Sequence, residues 1–143
     1  MSDLFHSMPP PDACDRALIE AYVRAGRTLD DLPYTPQFDA IVAEIRRVDP
    51  DATPRTVLHR LQTLRKSSRL PRLGRSDSPP IRIDDEESVL LSELVVESVG
   101  TMGQRDQLPY TPTFDRLVER FNARTGLALT PHDVWRLVAR LAK

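Results

Sequence analysis

Asp30-Asp31-Leu32-Pro33-Tyr34-Thr35-Pro36-Gln37-Phe38-Asp39-Ala40-Ile41-Val42 returns as Asp106-Gln107-Leu108-Pro109-Tyr110-Thr111-Pro112-Thr113-Phe114-Asp115-Arg116-Leu117-Val118, with most positions identical. A chance match of that length is improbable, so the chain reads as two copies of one unit. Each copy is followed by a second Thr-Pro pair, Thr53-Pro54 and Thr130-Pro131, that opens another apolar-periodic segment. The repetition therefore spans several elements. In 143 residues it implies two units of about 60 residues each, small enough that each core is thin and leans on its twin or on a partner.

Composition sets wider bounds. The chain is 40% hydrophobic and 29% charged, with no apolar run near the roughly 20 residues of a membrane span. The polar, Pro-rich start, Met1 to Ala13, has no signal-peptide core, so a cytoplasmic location is expected. One cysteine, Cys14, excludes an internal disulfide framework and reads as inert.

The net charge of −1 conceals strong segmentation. Residues 1–54 carry ten acidic residues against five Arg, and residues 77–107 carry eight against two basic ones. Between them, Arg55, Arg60, Arg65, Lys66, Arg69, Arg72 and Arg75 occur with no acidic residue at all. Residues 108–143 are again net positive, with six basic and three acidic, so positive charge gathers at the C-terminal end of each copy.

Each copy reads as three helices. Leu18, Ala21, Tyr22 and Ala25 fall on one helical face, predicting a first helix from near Ala13 to Gly26. Its counterpart runs from Asp84 to about Val99, where Asp84, Asp85, Glu86 and Glu87 suit the positive end of a helix dipole. The second helix starts at Thr35-Pro36 and Thr111-Pro112, since Thr caps the free amides and Pro at the first position forfeits no intrahelical bond. Phe38, Ile41, Val42, Ile45 and Val48 form its apolar stripe, echoed by Phe114, Leu117, Val118 and Phe121, with stops at Asp49-Pro50 and Thr125-Gly126. The third helix follows at Thr53-Pro54 and Thr130-Pro131 after about five residues, a tight helix-turn-helix connection. Trp135 takes the place of Leu58 and is expected in the core.

On the third helix the core and polar faces separate cleanly. Val57, Leu58, Leu61 and Leu64 lie together, as do Val134, Trp135, Val138 and Leu141. The opposite face carries Arg55, His59, Thr63 and Lys66 in the first copy and His132, Arg136, Arg140 and Lys143 in the second. This arrangement resembles the helix-turn-helix superfamily of DNA-binding domains. The resemblance implies an all-α fold of two tandem trihelical units whose last helix enters the major groove. It makes Arg55, His59, Thr63, His132, Arg136 and Arg140 candidate groove contacts, with Lys66 and Lys143 on phosphates.

Those residue types suit the task, because Arg presents a bidentate fork to guanine while Thr and His make single hydrogen bonds. Free amides after Thr35 and Thr111 offer a further phosphate contact; the plainer reading of Leu-Pro-Tyr-Thr-Pro is capping and packing. Between the copies, Lys66, Arg69, Arg72 and Arg75 stand three residues apart. In an extended segment that spacing aligns charge along one edge, as a DNA-tracking arm or as a flexible linker. A short β wing, with Ile81-Arg82-Ile83 returning against Leu70 to Leu73, is the third option. The resulting organisation is a disordered N-terminus at 1–12, a first unit at 13–66, a basic arm or linker at 67–83, and a second unit at 84–143.

Chemistry is not expected. His6, His59 and His132 form no metal-ligand spacing, and the glycines form no phosphate loop. No enzyme activity, cofactor or metal is read from the sequence. Two functions compete: double-stranded DNA binding in a regulatory or architectural role, or a helical protein-interaction module in which acidic first helices meet basic third helices of another molecule. A homodimer or a larger complex fits either, and no membrane partner is expected.

Overall fold

The computed structural model describes residues 11–74 and 78–143. Regular structure among them is entirely helical, in six α-helices and two short 3₁₀ segments. In chain order the α-helices are α1 (Pro11–Ala25), α2 (Pro36–Ile45), α3 (Pro54–Lys66), α4 (Asp85–Val99), α5 (Pro112–Thr125) and α6 (Pro131–Leu141). The chain forms two compact units, one of residues 1–28 and 36–75, the other of residues 29–35 and 76–143. The short segment 29–35, which the sequence assigns to the first copy, thus belongs with the second unit.

Helix starts follow the local chemistry. Thr53, Asp84 and Thr130 each close a reciprocal capping box with the third helical residue, Thr56, Glu87 and Asp133 respectively. Thr111 accepts from the Phe114 amide and donates to the Leu108 carbonyl at 2.6 Å, and Thr35 donates to the Leu32 carbonyl at the same distance. Helix α5 ends at Gly126, whose left-handed φ of 76° a side chain would strain. The first unit does without such a glycine. Helix α2 stops at Ile45 and the chain turns through Arg46–Asp49, leaving Val48 54% exposed outside the helix, so the expected core stripe ends one step early.

In the first unit, α1 packs on α2 and α2 on α3. Leu18, Ala21, Tyr22, Phe38, Ile41, Val42, Leu58, Leu61 and Leu64 are buried. The turn between α2 and α3 is clasped by Arg46, whose Nε donates to the Ala52 carbonyl at 2.9 Å. Asn122 occupies the matching place in the second unit and makes a two-sided clasp, donating to the Leu129 carbonyl at 2.9 Å and accepting from its amide at 3.0 Å. The longer turn there, 126–130, is held by a different side chain doing the same work.

The second unit packs α4 against α5 and α6 around Leu91, Leu94, Phe114, Phe121, Trp135 and Val138. Trp135 is fully buried and meets Phe114 edge-on at 6.2 Å, as its place in the core stripe predicts. No strand forms among the described residues, so the expected β wing is replaced by irregular chain. Ile81 and Ile83 pack on the core, and backbone groups a strand would pair are taken by side chains: Arg136 donates to the Ser78 carbonyl and Arg140 to the Ile81 carbonyl. Pro71, Pro79 and Pro80 supply no ladder donors.

Candidate nucleic-acid interface

The two third helices carry the residues singled out from the sequence, and they use them differently. On α6 the polar face is turned to the unit's own chain. His132 Nε2 lies 2.9 Å from the Asp31 carboxylate and 3.1 Å from the Asp31 carbonyl; both are acceptors, so this nitrogen carries the proton and donates. Arg136 Nε is 3.3 Å from the same carboxylate, and Ser78 Oγ is 2.8 Å from each of its oxygens. The Asp31 side chain is only 3% exposed, so these donors replace the water it gave up. Lys143 pairs with Asp30 at 3.3 Å and Arg140 holds the Ile81 carbonyl at 2.8 Å. His132, Arg136, Arg140 and Lys143, expected at a groove, instead fasten segments 29–35 and 78–83 to α6.

Segment 29–35 is anchored a second time through Tyr34. The Tyr34 and Tyr110 rings stack with centroids 4.3 Å apart, and Tyr34 also stacks on Phe114 at 5.6 Å. The backbone amide of Tyr34 donates to the Tyr110 hydroxyl at 2.6 Å, and the Tyr110 amide donates to the Tyr34 hydroxyl. Both tyrosines sit in the left-handed region, at φ 65° and 63°, a conformation uncommon for a bulky side chain. Burial pushes the Tyr34 hydroxyl up to about 12, against the opposing pull of the Tyr110 amide. In the second unit, then, the repeated Leu-Pro-Tyr-Thr motif is a packing and capping device.

On α3 the polar face is open. Arg55, His59, Thr63 and Lys66 are all exposed, and Thr63 Oγ1 donates back to the His59 carbonyl at 3.0 Å. Helix α3 ends with Ser68 at φ 60°, a place usually filled by glycine, and the Arg69 amide returns to the Leu64 carbonyl at 2.9 Å. That turn directs Arg69 toward the unit instead of along a straight arm. Arg69 NH1 reaches 3.4 Å from Asp15, whose carboxylate also takes a bidentate pair from Arg60 at 2.7 and 2.5 Å. Asp15 is 3% exposed while Arg60 and Arg69 remain 44% and 47% exposed. The Arg60 guanidinium beside Asp15 holds its carboxyl below the usual range, against the opposing effect of burial.

Asp15 is the functional residue that the sequence did not single out. Its only signal was a lone acid among the apolar positions of α1, one turn before Leu18. Arg60 consequently belongs to an internal ion pair more than to a groove. Arg72 is exposed, in chain without regular structure, and Arg75 lies outside the described residues.

Among the described residues no group of three or more His, Cys, Asp or Glu is placed to hold a metal ion, and no helix is long and apolar enough to cross a membrane. No protein-family model matches the chain, and neither the curated proteins nor the solved structures searched include a match.

Proposed function

We propose that the chain binds double-stranded DNA through the first unit, as the DNA-reading member of two tandem helix-turn-helix units. The observation that carries this reading is the exposed face of α3. Arg55, His59, Thr63 and Lys66 line it, and the base-only run continues through Arg69 and Arg72. A solvated surface normally mixes signs, whereas DNA favours a patch of one sign. The one carboxylate printed against this face, Asp15, lies buried beneath it and fixes Arg60 and Arg69 while leaving them partly exposed. In this reading Arg55, His59 and Thr63 address base edges, and Lys66, Arg69 and Arg72 address phosphates. The second unit serves as scaffold, and a regulatory or architectural role in the cytoplasm follows.

A second reading has its own support. The α6 face engages a peptide segment through Asp30 and Asp31, so a basic third helix in this fold is also suited to an acidic protein segment. Fluorescence anisotropy of a random-sequence duplex, titrated with protein from about 50 to 200 mM salt, separates the two. Binding that falls steeply with salt and is lost in an Arg69→Ala, Arg72→Ala variant supports DNA. Absence of binding at low salt rejects it and leaves the interaction module.

A further inference from the structure

The outer face of α4 has no role in the reading above. Val89 and Val96, one heptad apart, are 57% and 44% exposed, and with Ser88, Ser92, Glu93 and Glu97 they line a shallow surface groove. Charge around it has one sign. Residues 83–104 hold Asp84, Asp85, Glu86, Glu87, Glu93 and Glu97 and no basic residue. The chain thus carries a base-only surface on α3 and an acid-rimmed apolar strip on α4.

We infer that this strip docks the α3 face of a second copy of the chain. The argument is complementarity. Lys and Arg side chains lay their apolar stems across exposed valines while their charged ends reach the flanking carboxylates, so Val89 and Val96 meet the stems and Glu86 and Glu93 the heads. A second copy is the occupant because the chain itself presents the matching surface, whereas a strip against strip pairing would set Glu against Glu. The contact joins unlike faces, so each bound copy still offers one free face of each kind, and association continues in chains or closes in rings. The inference rests on the same basic face as the DNA reading but not on DNA occupying it.

Sedimentation velocity of the full chain tests it, at salt well below and well above about 0.1 M, where the Debye length is about 10 Å. The expected result is an average mass above one chain that rises with concentration at low salt and returns to one chain at high salt. A strip variant, Glu86→Lys with Glu93→Lys, and a face variant, His59→Glu with Arg72→Glu, each stay single. Mixed in equal amounts they form a dimer and nothing larger, because one intact strip and one intact face remain. Val89→Ser with Val96→Ser weakens association with the charges untouched, and circular dichroism matching the parent shows each variant folded. A single chain at every salt and concentration overturns the inference, as does an assembly that persists undiminished in both charge variants. Failure of the duplex titration alone leaves it standing.

Discussion

Helices α3 and α6 begin alike, each with a threonine cap, a proline at the first position and a closed capping box, and each buries the same four-residue stripe. Their polar faces then diverge. That of α6 is satisfied by Asp30, Asp31 and two backbone carbonyls from its own unit, whereas that of α3 stays exposed. One position further round the wheel, Arg60 of α3 is matched by Leu137 of α6, and Asp15 of α1 by Ser88 of α4. Where one unit holds an ion pair, the other buries a leucine that is 1% exposed. A donor-rich helix face therefore identifies a surface that binds acceptors, and only the rest of the chain decides whether those acceptors are internal.

The largest test concerns the shared core. Trp135→Ala should cost roughly 3–5 kcal/mol and Leu58→Ala about 2–5 kcal/mol in chemical denaturation, since both leave cavities in closed cores. If only one of them shifts the midpoint, the two cores are not comparable.

Next comes the exchanged pair. Arg60→Leu alone leaves the Asp15 carboxylate without its main partner and should cost about 1–3 kcal/mol, less than for a fully buried pair because Arg60 is partly exposed. Adding Asp15→Ser reproduces the arrangement of the second unit and should recover most of the loss. A double variant as unstable as the sum of the singles would show that the two units do not interchange here. The carboxyl of Asp15 is held low in the folded protein, so its contribution is complete above the ordinary value of about 3.9 and fades as pH falls through the lowered value. Asp15→Asn should flatten that acid limb.

Asp31→Ala removes the acceptor shared by His132, Arg136 and Ser78 and should destabilise by about 1–3 kcal/mol. Amide exchange should quicken in the second unit and not in α1 to α3. A uniform rise would mean segment 29–35 is not tied to α6 in particular.

Tyr34 gives a smaller, pH-specific effect. Its raised value favours the folded state below the ordinary tyrosine value near 10, and that contribution is lost as pH climbs toward about 12. Tyr34→Phe should abolish this part of the alkaline stability loss. An unchanged alkaline limb would assign it to another tyrosine.

Much of the fold is legible because caps and stripes are local. Thr-Pro pairs, the Asp84 to Glu87 start and the Phe38 and Phe114 stripes are written within one or two turns of chain. What escaped depends on distance in sequence. Asp31 meets His132 across 101 residues, and Asp15 meets Arg60 across 45, so neither partner appears in any window around a basic residue. The duplication itself misled, since equivalent sequence suggested equivalent surfaces and grouped residues 29–35 with the first copy. Tyr34 and Tyr110 resisted for another reason: a tyrosine at positive φ runs against propensity and is held only by the stacked partner ring and the reciprocal amide bonds.

The account rests on one DNA-facing helix surface, and the salt dependence of duplex binding addresses it most directly. Anisotropy titrations should compare the parent chain with an Arg55→Ala, His59→Ala, Arg72→Ala variant and with an Arg140→Ala, Lys143→Ala variant. The α3 variant should lose affinity and flatten the log–log slope by about 0.9 for each phosphate contact removed, while the α6 variant keeps the parent's slope. Equal losses from both variants, or a parent chain that binds no duplex at low salt, would contradict it.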